Sequence, residues 1–166
     1  MRSFFYFLAF LHGIGQMLAQ NLVPNPSFED YTICPDGLAQ TSNATGWTAF
    51  SGSPDYFNAC SATSITGVPS NAFGYQAGFD GGAYVGGYTY RDESTARECV
   101  QAQLLAPLPP GVAVHLSMSV ATGGFGANAT TVRRASNGIG IRFSTHADPP
   151  GLLITNCKLP LFSGRS

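Results

Sequence analysis

Residues 112–120 read VAVHLSMSV, in which every second side chain is apolar and those between are small or polar. A period of two over this length is typical of a half-buried β-strand. Gly111 follows two prolines at the start of the stretch, and Gly123-Gly124 follows its end. Because glycine and proline interrupt regular structure, these residues set its limits. The pattern predicts a strand over residues 112–120 with one face turned towards a core.

The same period of two recurs elsewhere, and no segment of ten or more residues shows the 3.6-residue period of a helix. Turn-forming clusters of Gly, Pro and Asn separate the alternating segments. The further predicted strands are residues 139–143, 83–90, 97–105, 27–33 and 47–50. Short strands at this spacing favour an all-β fold, an antiparallel β-sandwich. Its predicted core buries Val112, Leu116 and Phe143, with their strand neighbours, against aromatic residues of the first half.

Composition excludes several classes of protein. Of 166 residues, 10% are charged, 44% are hydrophobic and 12% are aromatic. A disordered chain has few aromatics and a high net charge, whereas the net charge here is −1. One lysine, Lys158, is present, so the sequence lacks the basic patch of a nucleic-acid-binding protein. We expect one small, nearly neutral domain with no nucleic-acid partner.

The amino terminus has the features of a secretory signal peptide. Arg2 supplies a positive charge, Phe4–Leu11 is an unbroken apolar run, and cleavage is expected between Ala19 and Gln20. The alternative, a membrane anchor, needs about 20 apolar residues, and polar residues interrupt this run. The sequence therefore predicts a signal peptide over 1–19, a domain over 20–146 and an irregular tail over 147–166. The expected location is secreted, periplasmic or at the cell surface, with no transmembrane segment after cleavage.

Export predicts that the cysteines form disulfides, because oxidising compartments favour them. Four cysteines allow three connectivities, and the sequence alone does not choose among them. The four are Cys34, Cys60, Cys99 and Cys157. Cys34 and Cys60 are the pair closest in sequence and the favoured bridge. Zinc is the weaker use, since no two of these cysteines have CxxC spacing.

A series of short motifs carries a resemblance to a known family. The opening Asn21–Glu29 is similar to the NLVxNxSFE start of galactose-binding-like jelly-roll domains, which include carbohydrate-binding modules. The series continues through Cys34-Pro35, Gly46-Trp47, Pro54–Cys60, Val68-Pro69, Phe73–Gln76, Gly82–Gly86, Tyr88–Tyr90, Arg97-Glu98 and Leu104–Pro107. Over residues 21–146 the chain resembles the amino-terminal domain of bacterial surface proteins tied to type 9 secretion and gliding motility. Some of those proteins end in an OmpA-like, peptidoglycan-binding domain.

The resemblance implies a jelly roll that binds or assists rather than catalyses, at the outer membrane or cell surface. It also supports the Cys34–Cys60 bridge, since the family's two cysteines stand at these motif positions. The chain departs from the pattern at Cys99, where family members carry an aromatic residue, and this cysteine could be a free thiol or bond to an unusual partner. It also lacks the family's closing strands, which indicates a truncated or frameshifted fragment. An uncovered strand edge predicts poor solubility.

Motifs of catalysis are missing from the sequence. It contains no GxSxG, HExxH, P-loop or EF-hand spacing. After cleavage two histidines remain, His115 on the polar side of a predicted strand and His146 near the tail. We therefore expect a protein that is not an enzyme.

Aromatic and amide side chains favour glycan binding as the function. Sugar rings stack their C–H faces on aromatic planes, while amide and guanidinium groups bond the hydroxyls. The candidate binding residues are Trp47, Asn58, Gln76, Tyr84, Tyr88, Tyr90 and Arg91. Tyr56 and Tyr75 offer further ring planes, and Asp55 offers a further polar group. For Trp47 the alternative is a core residue beside the disulfide. The predicted partners are a polysaccharide or cell-envelope proteins.

Two further alternatives stay open at the level of sequence. Glu29 matches a ligand position in related calcium-binding modules, although calcium wants six to eight oxygens, and an ordinary strand role is the competing interpretation. No other cofactor is expected. The alternative function is a structural or protein-interaction domain of an outer-membrane or cell-surface protein, without a sugar ligand.

Overall fold

The computed structural model of this chain describes residues 20–89, 97–122 and 139–145. The predicted signal peptide and tail therefore lie outside the described residues, as do Tyr90, Arg91 and His146. In the described part, regular structure consists of one short 3-10 helix, Thr41–Asn43, and six strands. The strands are β1 (Trp47–Ser51), β2 (Asp55–Asn58), β3 (Ser70–Asn71), β4 (Gly74–Tyr75), β5 (Ala83–Gly86) and β6 (Cys99–Ala102). This part of the chain is all-β, as the sequence predicts.

The strands form three antiparallel pairs. Strand β1 pairs with β6, with Trp47 opposite Ala102 and an irregularity between Ala49 and Ser51. Strand β2 pairs with β5 in an unbroken register from Asp55–Gly86 to Asn58–Ala83. Strands β3 and β4 form a two-residue-per-side hairpin. Both larger pairs join segments far apart in sequence, so their registers are set by tertiary packing rather than by a local turn.

One face of the β2–β5 pair carries the core. Tyr56 and Ala83 on this face are buried together with Ala44. Phe28, Trp47 and Val85 pack against them, and the Phe28 and Trp47 rings lie 4.7 Å apart. The Tyr56 hydroxyl donates to the Phe28 carbonyl (2.7 Å) and accepts from the Asn58 side chain (2.7 Å). The buried phenol is thus both a hydrophobic anchor and a fully bonded polar group, as burial requires.

Loops rather than strands build the region before β1. Asn25 adopts a positive φ of 41°. Its side-chain nitrogen donates to the Asp30 and Thr45 carbonyls, and its side-chain oxygen accepts from the Asp30 amide. The predicted strand over 27–33 is absent there, where a single bridge joins Tyr31 to Ala44. Hydrogen bonds from the Asn25 side chain to the backbone take the place of the expected strand pairing. Such side-chain-to-backbone bonds compete with regular structure at Asn residues.

The predicted disulfide between Cys34 and Cys60 is present. The two Cα atoms lie 5.9 Å apart across 26 residues of sequence. On either side of it, Thr66 donates to the Pro35 carbonyl (3.1 Å) and the Cys60 amide donates to Asn58 (2.8 Å). The bridge therefore ties the amino-terminal loops to the end of β2.

The predicted strands over 112–120 and 139–143 are not formed in the described structure. The five apolar side chains of 112–120 are between 43% and 63% exposed, and Ile139 and Phe143 are each 47% exposed. The predicted core of these residues against the first-half aromatics is therefore wrong. Alternation marks a face suited to burial, but a strand also needs an opposing backbone, and the described residues offer none here. A β-sandwich of jelly-roll type is not seen in the described pairs.

Within the same described ranges, no helix has the length and apolar character needed to span a membrane.

Candidate functional site

A run of four aromatic rings covers the face of the β2–β5 pair opposite the core, and we call it the aromatic ladder. Its members are Phe57, Phe73, Tyr84 and Tyr88. Tyr84 stacks on its cross-strand neighbour Phe57 with centroids 4.9 Å apart. Phe73, from the β3–β4 hairpin, meets Phe57 and Tyr88 edge-on, each at 5.9 Å. Phe57 is buried, and the other three rings are half-buried. The four rings of the aromatic ladder thus pack against one another, and Phe73, Tyr84 and Tyr88 keep part of their surface accessible to solvent.

The hairpin is held on the ladder by Asn71. Its buried amide donates to the Tyr84 hydroxyl and to the Gly67 carbonyl (3.2 Å), while its oxygen accepts from the Phe73 amide (3.0 Å). Burial raises the pKa of Tyr84 above its ordinary value of 10.0, and the Asn71 bond partly offsets this. The phenol is therefore neutral at physiological pH. Since it accepts from Asn71, its own proton remains available to a ligand oxygen.

One strongly exposed aromatic residue ends the hairpin, and a second lies four residues after it. Tyr75 at the end of β4 is 60% exposed and Phe79 is 86% exposed. Phe79 lies in Gly78–Gly82, which we call the glycine loop. A Glu29 carboxylate oxygen accepts from the Gly82 amide (2.7 Å) and so ties this loop to the amino-terminal segment. The loop presents a large apolar ring to solvent on a backbone that is anchored from beneath.

Glycine is required inside this loop. Gly81 has a φ of 94°, and a Cβ there would fall on the Glu29 carboxylate. A Cβ on Gly78 would collide with the backbone of Gly81. Because other residues disfavour such conformations and would clash, the loop shape depends on these glycines. The glycine loop, which the sequence predicts as a turn, therefore also supports the exposed Phe79 ring.

No family model, curated protein or solved structure matches this chain. The function of the site is accordingly argued from its own residues.

The structure separates the predicted glycan-binding residues into internal and accessible groups. Trp47 is half-buried in the core, with its indole N–H between the Pro24 and Asn25 carbonyls at 3.1 Å each. Asn58 is 4% exposed, and both ends of its amide are bonded internally. These two side chains have structural partners. Trp47 packs against the core, which agrees with the alternative that the sequence offered for this residue.

Tyr84, Tyr88 and Gln76 remain on or beside the accessible side. The Gln76 side chain is half-buried and donates to the Ala77 carbonyl (2.7 Å). Tyr84 and Tyr88 are both in the aromatic ladder, although β5 ends at Gly86 and Tyr88 lies beyond the strand. Tyr90 and Arg91 lie outside the described residues.

Glu98 organises the edge where the ladder ends. One carboxylate oxygen accepts from the Tyr88 amide (2.8 Å), and the other accepts from the Ser53 hydroxyl (3.1 Å). The Glu98 amide in turn donates to the Tyr88 carbonyl (3.0 Å). These bonds fix the Tyr88 backbone against the segment before β2, so the position of the last ring depends on a charged residue.

Asp55 is a buried carboxyl group near this edge, opposite Gly86 in the sheet. It accepts from the Ala39 amide at 2.7 Å. Burial raises the pKa of Asp55 above its ordinary value of 3.8; the Ala39 bond acts in the other direction, and the charge of Glu98 adds to the rise. Asp55 and Glu98 are therefore two interacting carboxyl groups, of which Asp55 is buried and Glu98 is half-buried.

Glu29 belongs to no metal-holding group among the residues that the structure describes. Among residues 20–89, 97–122 and 139–145, no group of three His, Cys, Asp or Glu side chains could hold a metal ion. The described contact of its carboxylate is to the Gly82 amide. The calcium hypothesis for Glu29 remains a prediction.

Cys99 in β6 is disulfide-bonded. The free thiol considered from the sequence is therefore wrong for this position.

Sequence reasoning missed three residues of the site. Phe79 gave no periodic signal, since it stands alone in a glycine cluster. Asn71 and Glu98 act through contacts to residues 13 and 10 positions away. The signal that could have found Phe79 is an isolated aromatic inside a turn, because turns lie on the surface.

Proposed function

We propose that this chain is an exported, non-catalytic β-domain that binds an uncharged polysaccharide through Tyr75, Phe79 and the outer rings of the aromatic ladder. The observation that carries the proposal is the exposure of Phe79 (86%) and Tyr75 (60%) on an anchored hairpin and loop. Aromatic rings give a large contact area and are enriched at binding surfaces.

The chemistry of this surface suits a sugar. Ring faces take the C–H side of a pyranose, and the Tyr84 hydroxyl and the Gln76 amide offer polar partners for its hydroxyl groups. Asp80 is the one charged residue between positions 71 and 89. The exposed Glu29 carboxylate also lies against the glycine loop. Negative charge on this surface repels a polyanion and so favours an uncharged glycan.

Support for rigidity comes from the bonds beneath the surface. Asn71 fixes Tyr84 and the hairpin, Glu29 fixes the glycine loop, and Glu98 fixes Tyr88. A binding surface that is already ordered loses little entropy when a ligand arrives.

The cell-envelope setting rests on the sequence alone. The signal-peptide pattern and the family resemblance support export to a bacterial cell surface and a binding or accessory role. The competing function, a structural or protein-interaction domain without a sugar ligand, shares that setting. Glycan binding itself discriminates between the two.

The test is retention on insoluble cellulose, chitin and xylan, followed by competition with soluble oligosaccharides of the retained polymer. Tyr75→Ala and Phe79→Ala remove exposed rings and leave the core untouched. Tyr31→Ala is the matched control, since Tyr31 is a 44% exposed aromatic outside this surface. Near-ultraviolet circular dichroism checks that each variant is folded.

We expect the two surface variants to weaken retention by about tenfold each, as loss of one stacking ring costs about 1 kcal/mol or more. Tyr31→Ala should bind like the parent protein. Equal retention of all three variants would contradict the site. No retention of the folded parent protein on any polymer would contradict the function and favour the interaction domain.

A further inference from the structure

Gln20 becomes the first residue of the exported chain when the signal peptide is cut after Ala19, as the sequence predicts. Gln20 is exposed. Within the described part of the chain, no hydrogen bond involves this residue. The neighbouring Asn21 side chain is engaged elsewhere, since it accepts from the Val23 amide (3.0 Å). The side-chain amide of Gln20 is therefore accessible to a group that reacts with it.

The folded structure begins to hold the chain just after Gln20. The Leu22 carbonyl accepts from the Leu105 amide (2.9 Å). The Pro24 carbonyl accepts from the indole N–H of Trp47 (3.1 Å), which packs against the core. Gln20 thus lies immediately outside these contacts, where its backbone amine and its side chain can approach each other without disturbing the fold.

We propose that Gln20 cyclises after signal cleavage, so that the mature chain begins with pyroglutamate. The unprotonated α-amino nitrogen attacks Cδ of the same residue, and the new N–Cδ bond closes a lactam ring. The Cδ–Nε2 bond breaks, and Nε2 leaves as ammonia with the proton that the amine loses. No group is oxidised or reduced, so the step needs no electron acceptor.

The ring would protect the first contacts of the fold. It removes the charged terminal amine that an aminopeptidase requires. Because the Leu22–Leu105 bond lies so close to the end, removal of residues 20–22 would break it, and further trimming would reach the Pro24 carbonyl that holds Trp47. The proposal rests on the export included in the proposed function and does not depend on glycan binding.

Mass spectrometry of the exported protein tests the modification. The full chain is produced with its own amino terminus in an exporting bacterium, and the folded, purified protein is incubated with glutaminyl cyclase. Intact mass and the mass of the amino-terminal peptide are measured before and after incubation. Gln20→Asn is the matched control, since it keeps an amide but is one methylene shorter, and the corresponding ring is too strained to form. Digestion with an aminopeptidase then compares the two proteins.

We expect the parent protein to begin at Gln20, to lose one ammonia and to resist the aminopeptidase. Gln20→Asn should keep its mass and be shortened. Pyroglutamyl peptidase should remove the ring from the parent protein and make it open to trimming. A terminus other than Gln20 would overturn the proposal together with the predicted cleavage site. A Gln20 terminus that keeps its ammonia would overturn cyclisation alone, and equal trimming of the two proteins would overturn the protective role.

Discussion

Residues 112–120 alternate apolar with small or polar residues and are exposed, whereas the strands of the β2–β5 pair show no such alternation and hold the core. In β2–β5, Tyr56 and Ala83 are 0% and 3% exposed. In 112–120, the least exposed apolar residue, Leu116, is still 43% exposed. Of the two regions, residues 112–120 are the one that satisfies the sequence rule for a half-buried strand.

The difference lies in what opposes each backbone. Strand β2 has four cross-strand partners in β5 and a layer of Phe28 and Trp47 over its inner face. The described residues place no strand beside 112–120. Alternation therefore specifies which face is ready for burial, and a second strand decides whether burial happens.

The largest expected contrast between the two regions comes from truncating one apolar residue in each. Tyr56→Ala should lower the free energy of unfolding by about 3–5 kcal/mol, since it removes a fully buried ring and both of its hydrogen bonds. Leu116→Ala should change it by less than about 0.5 kcal/mol in dilute, monomeric protein. Urea unfolding followed by fluorescence of Trp47, the single tryptophan, measures both. Similar losses would remove the contrast.

Removing the Cys34–Cys60 bridge should have the next largest effect. Replacing both cysteines with Ser should lower the free energy of unfolding by about 3 kcal/mol, because the bridge restricts the unfolded chain across 26 residues. The backbone near 113–122 should show unchanged amide exchange, since the bridge joins only the amino-terminal loops to β2. Increased exchange in both regions would show that they are one cooperative unit.

Gly81→Ala sharpens the comparison at the glycine loop, with an expected loss of about 1–2 kcal/mol. The added methyl group would meet Glu29 at a φ of 94° that alanine disfavours. Gly111→Ala is the informative control, since its φ is 74° but no atom lies within 4 Å of the added Cβ. Thermal unfolding of both variants separates backbone strain from the clash. A Gly81 variant no less stable than the Gly111 variant would contradict the anchoring by Glu29.

The smallest expected effect is a pH dependence of the free energy of unfolding through Asp55. Because burial raises its pKa above 3.8, the folded protein holds this proton more tightly than the unfolded chain does. The contribution of Asp55 to stability is therefore present at low pH. It declines as the pH rises above about 3.8 and through the folded pKa.

Asp55→Asn keeps an oxygen for the Ala39 amide and removes the titration. Relative to the parent protein, this variant should gain stability as the pH is raised from about 4 to about 8. Asp55→Ala also removes the titration but loses the bond to Ala39, so it should be less stable than Asp55→Asn at every pH. Urea unfolding across this range checks both, and a parent-to-Asn difference that does not change with pH would contradict the raised pKa.

Local pattern was enough to predict some of the fold. The all-β class, the strand beginning at Trp47, a shorter form of the predicted strand at β6 and the Cys34–Cys60 bridge are all confirmed. These features depend on alternation, turn residues and cysteine spacing, which are written in consecutive residues. The absence of a 3.6-residue period likewise agrees with a described structure whose one helix is a three-residue 3-10 turn.

The parts that could not be predicted depend on distant contacts. Strand β2 is buried on both faces, so Asp55–Asn58 shows no alternation. The β3–β4 hairpin has two residues a side and is positioned by Asn71 bonding Tyr84. For the candidate site, the sequence named Tyr84, Tyr88 and Gln76, but it could not separate them from Trp47 and Asn58, which are engaged inside the protein. That distinction requires knowing which face of each strand is covered.

Hydrogen–deuterium exchange of the dilute, monomeric protein tests the central contrast most directly. The account predicts slow exchange for amides in β2 and β5, and exchange close to the unprotected rate for residues 113–122. Protection of residues 113–122 in the dilute monomer, or rapid exchange throughout β2 and β5, would contradict it.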